Sequence, residues 1–146
     1  MNYAPWKQAV VVTITAGAPH LILEESALDP SQVAAIDSFL FLRDAFSVIS
    51  AIDLFNSGTD RNTRVTVFVR NLQLAQGETA SAVTVNLVDG NGQSFDVAAE
   101  DVRAVPLTDF VQVQFRLPDN LATGVCHVKI KAHNQESNQG TIRIKP

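Results

Sequence analysis

The side chains best suited to bind a metal or to act as a nucleophile are three histidines and one cysteine. They are His20, His127, His133 and Cys126. His127 and His133 are six positions apart on the outward face of one predicted strand, and Cys126 points to the opposite face from His127. Because a zinc site needs about four ligands, we expect exposed histidines here and no metal or cofactor. Cys126 has no histidine on its own face to activate it, so we expect a small buried hydrophobic residue.

Residues 89–96 offer oxygen ligands for calcium at Asp89, Asn91 and Asp96. Calcium takes about six to eight oxygens, more than this segment supplies. The segment also contains an Asp-Gly and an Asn-Gly pair, which adopt positive φ at low cost and are typical of tight β-hairpins. We therefore interpret residues 89–92 as a hairpin turn.

Two pairs of adjacent carboxylates, Glu24-Glu25 and Glu100-Asp101, raise the question of general acid–base catalysis. Such catalysis needs two carboxyl groups that face each other across a cleft, and nothing in the sequence predicts one. We interpret both pairs as solvated turn residues. The sequence contains no serine-hydrolase, phosphate-loop, dinucleotide-binding or zinc-peptidase motif, so we predict that the protein is not an enzyme.

The outward faces of the last predicted strands carry six basic residues: Arg116, His127, Lys129, Lys131, Arg143 and Lys145. If these strands are neighbours, the residues form a basic stripe on an otherwise acidic protein. Such a stripe could contact an acidic polysaccharide, a lipid head group or an acidic partner protein. Lysines on exposed strands also discourage edge-to-edge aggregation, and we favour this solvation role.

The elements that position these residues are β-strands with alternating apolar and polar side chains. Each of the last three, at 110–117, 125–132 and 141–145, has one apolar face, which a second layer must cover. Further predicted strands lie at 9–15, 20–24, 38–42, 46–50, 64–71, 82–88, 93–98 and 102–105. Asp29-Pro30 resembles a helix cap followed by proline, so we also expect a short helix at 31–36. Turn signals recur about every 8–12 residues, as in an antiparallel sandwich.

Composition limits the class of protein. The 146 residues are 46% hydrophobic and 18% charged, which indicates a globular chain. A net charge of −4 argues against nucleic acid as a partner. No apolar run reaches the roughly 20 residues of a membrane-spanning helix. Residues 9–18 faintly resemble a signal peptide, but Thr13, Thr15 and Pro19 are unfavourable for one, so no export signal is evident.

A resemblance to a known family rests on the last third of the chain, on Leu117-Pro118, Leu121, Gly124, alternating Val128 and Ile130, and Ser137-Asn138. This pattern resembles the closing strands of IPT/TIG-type immunoglobulin-like modules, and residues 61–74 and 82–88 look like the early strands of that family. More broadly, residues 38–144 are similar to an Ig-like module of large, repetitive bacterial surface proteins. The resemblance implies an all-β, Ig-like antiparallel β-sandwich in an extracellular or cell-surface setting, without catalytic residues.

We therefore expect an N-terminal strand extension at 1–37 and an Ig-like β-sandwich at 38–146. The predicted strand 9–15 sets Val10, Val12 and Ile14 on one face. It could pair with its own sheet, or be donated to the sheet edge of another copy.

The function we expect is that of a non-enzymatic extracellular structural or adhesion module. One alternative is a subunit of a polymeric surface filament assembled by N-terminal strand exchange. Another is a carbohydrate-binding accessory domain, for which Tyr3 and Trp6 are the plausible aromatic contacts. The expected partners are other copies of the chain, neighbouring domains or a cell-surface polysaccharide.

Overall fold

Alternating apolar residues produce short, paired strands throughout the part of the chain that the structure describes. The computed structural model describes residues 17–25, 28–50 and 60–146. A short 3₁₀ helix at Ala80–Ala82 interrupts the strands. The strands are β1 (His20–Leu21), β2 (Ala35–Asp37), β3 (Phe46–Ser47), β4 (Arg64–Arg70), β5 (Thr84–Val88), β6 (Ser94–Ala98), β7 (Asp101–Ala104), β8 (Val111–Arg116), β9 (Gly124–Ala132), β10 (Gln135–Glu136) and β11 (Gly140–Lys145).

The strands form two sheets that pack face to face. The first has the order β1-β4-β8-β7, and β2 also pairs with β4. The second has the order β3-β11-β9-β5-β6, and β10 pairs with β9. All of these pairings are antiparallel except β3 with β11, which is parallel. The first sheet follows the A-B-E-D order of an immunoglobulin sandwich, and β11-β9-β5 follows G-F-C. The chain is therefore an all-β, Ig-like sandwich, as the sequence predicts.

The core lies between the two sheets and contains the inward-facing residues of every long strand. In β9 the alternation is complete, with Cys126, Val128 and Ile130 fully buried between partly exposed neighbours. The first sheet contributes β-branched residues and one aromatic ring: Val65, Val67, Val69, Val113 and Phe115. Burying one such side chain contributes about 1.5–3 kcal/mol, so packing without a disulfide holds this fold.

The described part of the first 37 residues belongs to the same sandwich. Leu21, Val33 and Ala35 are at most 4% exposed and lie in the common core. Residues 31–33 also reach the second sheet, because the Val33 amide donates to the Thr141 carbonyl at 2.9 Å. This segment therefore contacts both sheets at one side of the sandwich.

The predicted helix at 31–36 is wrong. The Asp29 carboxylate accepts hydrogen bonds from the Ser31 amide and hydroxyl at 2.9 and 2.6 Å, but it closes a turn and caps no helix. The chain then continues into β2, because Val33, Ala35 and Asp37 alternate toward the interior. Pairing with β4 satisfies the backbone amide and carbonyl groups of this segment, which in a helix would bond to one another.

The predicted strand at 38–42 is also wrong, because this segment is a turn. The buried Asp37 carboxylate accepts hydrogen bonds from the amides of Phe39 and Leu40 at 2.8 and 2.9 Å. The Asp37 amide donates to the Leu42 carbonyl at 2.7 Å, which closes the turn. The predicted strand at 46–50 is shorter than expected and contains only Phe46–Ser47.

The described part of the chain begins at one end of the sandwich and finishes at the other. His20 pairs with Arg70, at the last residue of β4. Ile144 pairs with Gly124, the first residue of β9. A short connection joins Gly124 to the end of β8, which lies beside Arg64, the first residue of β4. The six steps of β4 span roughly 20 Å at about 3.3 Å per residue. The described N-terminal segment and the last residues of the chain therefore lie at opposite ends.

Candidate functional surface

The structure places the six basic residues of the predicted stripe on two different sheets. Arg116 ends β8, in the first sheet. The other five lie on β9 and β11 of the second sheet: His127, Lys129, Lys131, Arg143 and Lys145. The outer face of the second sheet is therefore the candidate surface, and Arg116 is not part of it.

Acidic side chains pair with most of this basic surface. Lys129 Nζ lies 3.5 Å from Glu136 Oε2, and Lys131 Nζ lies 3.7 Å from Asp96 Oδ1. Arg143 Nε lies 3.0 Å from a buried carboxylate oxygen of Asp44.

Two basic residues of this surface have no carboxylate partner among the described residues. The His127 ring lies 3.0 Å from the amide nitrogen of Gln139, and Lys145 forms no ion pair with any described residue. With His127 uncharged, this face carries four positive charges, on three lysines and Arg143, and three negative charges, on Glu136, Asp96 and Asp44. It is therefore close to neutral.

Arg116 takes part in an ion-pair network on the outer face of the first sheet. Arg64 and Arg116 are directly opposite each other on β4 and β8, where like charges would repel. The Asp60 carboxylate lies between them, 3.0 Å from Arg64 Nη2 and 3.0 Å from Arg116 Nε. Hydrogen bonds from Arg64, then from the Asn62 amide and Arg116, hold the pKa of Asp60 well below its usual value.

The network continues to two connections of the sandwich. Arg64 Nε contacts Glu100 Oε1 at 2.8 Å, before β7, and Arg116 Nη2 contacts Asp119 Oδ1 at 3.0 Å, after β8. The side-chain amide of the buried Asn62 donates at 2.8 Å both to the Asp119 carboxylate and to the Leu117 carbonyl. These contacts fix loops around the start of β4, which is a structural role.

The hairpin between β5 and β6 confirms the turn predicted at residues 89–92. Asp89 is only 4% exposed, and its carboxylate accepts the amides of Asn91, Gln93 and Ala122 at 2.9, 3.0 and 3.0 Å. These bonds, chiefly the one from Ala122, lower the pKa of Asp89. Gly92 has φ +80°, which few other residues adopt. Since protein amides occupy the Asp89 oxygens, little of this carboxylate is left for a cation.

The cysteine and the histidines have the environments of structural residues. Cys126 is fully buried, as predicted, and burial raises the pKa of its thiol to about 12. The prediction that His133 lies on the outer face of a strand is wrong, because it sits in the turn after β9 with φ 51°. There its Nε2 lies 2.8 Å from Glu78 Oε1. His20 is exposed at the start of β1.

Three carboxylates of the two adjacent pairs form ion pairs with arginines. Glu24 lies 2.9 Å from Arg43 Nη1, and Glu100 binds Arg64. Asp101 lies 3.2 Å from the Nη2 of Arg103. Among the described residues, no group of three or more His, Cys, Asp or Glu side chains could hold a metal ion.

One exposed apolar feature was not predicted from the sequence. Phe39, Phe41 and Leu42 are 51%, 73% and 57% exposed in the turn that Asp37 holds. The available signal was the run of four apolar residues at 39–42, which does not alternate as a half-buried strand should.

Several predicted contact residues lie outside the described part of the chain. These are the strand-donor residues Val10, Val12 and Ile14 and the aromatic residues Tyr3 and Trp6.

Comparison with known proteins gives no relative. No protein-family model matches the chain, and neither a curated protein nor a solved structure shows significant similarity to it. The resemblance to IPT/TIG modules stays a prediction. The topology itself defines the class of fold, an immunoglobulin-like sandwich. Among the described residues, no helix is both long enough and apolar enough to cross a bilayer.

Proposed function

We infer that this chain is a non-enzymatic structural module of an extracellular or cell-surface protein, which holds its neighbours on either side at a fixed spacing. The path of the chain carries this proposal. Its described residues begin beside Arg70 and end beside Gly124, at opposite ends of β4. A rigid domain with this path extends a protein by its own length.

The position of the last strand supports a role under tension. A pull on Gly17 and Pro146 in opposite directions loads β11 along its own axis. β11 pairs with β9 over five residues and with β3 over two. Ladder hydrogen bonds run across the strands, so they would be loaded together in shear and not broken one at a time.

Charge favours spacing over polysaccharide binding. The basic side chains on the outer face of the second sheet are largely paired with Glu136, Asp96 and Asp44. Exposed ion pairs contribute little stability but reduce the field that a polyanion would sense. The surface resembles a solvated sheet face more than a docking site for an acidic polymer.

Force spectroscopy tests the proposal. The chain is held either at Ala18 and Pro146, which lie at opposite ends, or at Asn91 and Pro146, both near the end where β11 finishes. The first attachment shears β11, whereas the second peels strands apart. The proposal predicts a clearly higher unfolding force for the first attachment. Equal, low forces for both would contradict a role under tension.

A further inference from the structure

Strand β7 is an open edge of the first sheet as far as the structure describes the chain. It pairs with β8, and no described residue pairs with its other side. An open edge presents unpaired amide and carbonyl groups, which can accept a strand from another chain.

The hydrogen-bond pattern shows which groups of β7 face this open edge. The Val105 amide donates to the Phe110 carbonyl at 3.0 Å. Val105 therefore belongs to a hydrogen-bonded pair with β8. Because hydrogen-bonded and non-hydrogen-bonded pairs alternate in an antiparallel ladder, Arg103, two residues earlier, also directs its backbone groups toward β8. Val102 and Ala104 therefore direct their amide and carbonyl groups to the open edge.

Only certain alignments let two copies of β7 use these groups. In one antiparallel alignment, Val102 lies opposite Val102 of a second copy and exchanges two hydrogen bonds with it. Asp101 then lies opposite Arg103 of the second copy, and Arg103 lies opposite its Asp101. In the next usable alignment, Arg103 lies opposite Arg103, and like charges directly opposite each other are destabilising. The sequence Asp-Val-Arg is thus self-complementary about Val102.

The side chains of β7 are oriented for this pairing. Asp101 and Arg103 share the outer face, where Arg103 Nη2 lies 3.2 Å from Asp101 Oδ2 within the strand. These side chains are 39% and 69% exposed, so both can reach a second copy. Val102 packs against the core and keeps its side-chain contacts. The Asp101–Arg103 pairs would be non-hydrogen-bonded pairs, in which side chains come closest.

On this side of the sandwich β6 also has an edge that pairs with no described residue, but it lacks this complementarity. Pairing two full copies of β6 would place Asp96 opposite Asp96 of the second copy. Asp96 is already 3.7 Å from Lys131 of its own sheet. Charge thus favours β7 over β6 as a site for a second copy.

We propose that β7 is a docking edge for a second copy of this chain, joined antiparallel about Val102 across a two-fold axis. Both copies use the same residues, as in an isologous dimer. This contact is separate from the spacing role proposed above, because it lies on the side of the sandwich and not at its ends.

Amide hydrogen exchange of the full chain, measured over a range of concentrations up to about 1 mM, tests the proposal. Protection of the Val102 amide should increase with concentration, together with the mass measured by sedimentation. The Arg103 amide bonds to β8 in the monomer as well, so it serves as an internal control whose protection should stay constant. A protein that stays monomeric over this range, or a Val102 amide equally protected at every concentration, would overturn the proposal. The second outcome would fit an edge already covered by residues 9–15 of the same chain.

Charge reversal identifies the edge. Asp101→Arg and Arg103→Asp should each raise the dimer dissociation constant by about tenfold or more, because two attractive cross-strand pairs become repulsive. The double variant exchanges the charges and should restore dimerisation. Glu25→Arg and Lys145→Glu are matched controls at exposed positions away from β7 and should leave it unchanged. Dimerisation that survives both single reversals, or that the double variant fails to restore, would refute this edge as the contact.

Discussion

Gly140, the first residue of β11, offers a direct test of how Leu23, Ser31 and Val33 pack against this strand. A Cβ atom built on Gly140 would lie 2.8 Å from Leu23 Cδ2 and 3.1 Å from the Ser31 carbonyl oxygen, and would clash with Val33 Cγ2. The two side chains can shift, but the carbonyl is part of a hydrogen bond to Thr141. Overpacking of this kind costs about 1–3 kcal/mol, so Gly140→Ala should destabilise the protein by that amount.

The magnitude can be assigned to one contact by a double-mutant cycle with Val33→Ala. Val33 is 1% exposed, so its truncation alone should cost about 2 kcal/mol. In the double variant, the added methyl group at Gly140 occupies space that Val33 Cγ2 has left. The losses of unfolding free energy in the two single variants should therefore add up to roughly 1 kcal/mol more than the loss in the double variant.

Urea unfolding of the four proteins measures this coupling. Gly17→Ala is the matched glycine control, because nothing lies within 4 Å of a Cβ atom at that position. It should change the free energy of unfolding by no more than about 0.5 kcal/mol. If Gly140→Ala is as stable as the original protein, or if the two substitutions are additive, Leu23, Ser31 and Val33 do not pack on β11 as described.

Four further predictions concern the rest of the molecule. Cys126 should resist thiol reagents until the protein unfolds, and Cys126→Ala should cost about 1 kcal/mol in urea unfolding, whereas rapid labelling of the native protein would show that the faces of β9 are reversed. Calcium should not raise the melting temperature, because protein amides occupy the Asp89 carboxylate; a clear rise would indicate a site there. The lowered pKa values of Asp60 and Asp119 contribute stability that is complete above about pH 5 and is lost as the pH falls through the folded-state values. Urea midpoints between about pH 2 and 7 should therefore fall on the acid side, and less steeply in Asp60→Asn; an equal slope would contradict the network. Deleting residues 1–16 should leave a folded protein by calorimetry, because the described residues alone pair into two sheets and share one core; loss of the unfolding transition would contradict this.

The long strands were predictable from the sequence because each buries one face. In β4, β8 and β9 the apolar residues alternate with polar ones, and this periodicity fixes both strand type and orientation. The buried position of Cys126 and the hairpin at Asp89 follow from the same local signals. These signals lie in residues that are close together in the sequence, so they can be recognised without the tertiary structure.

The segment from Asp29 to Leu42 was mispredicted because its local signals are ambiguous. An aspartate that binds the amide two residues later can begin a helix or close a turn. Here pairing with β4 and β11 decides between them, and those strands are distant in the sequence. The four apolar residues at 39–42 suggest a buried strand, yet the Asp37 carboxylate holds them in a turn.

The ion-pair network was not predictable for a different reason. Asp60 and Arg116 are 56 positions apart, and their contact depends on the register between β4 and β8. No local pattern encodes that register. The separation of the candidate basic residues onto two sheets has the same origin, since consecutive strands β8 and β9 belong to different sheets.

The separation between the two ends of the described chain tests the central claim most directly. Spin labels at Ala18→Cys and Pro146→Cys, on a Cys126→Ala background, allow this distance to be measured by pulsed electron paramagnetic resonance. A module that spans the sandwich from end to end predicts one narrow distance peak at roughly 20 Å or more, the length of β4. A peak well below that length, or a broad distribution without a maximum, would show that the chain does not enter and leave at opposite ends and would contradict the spacing function.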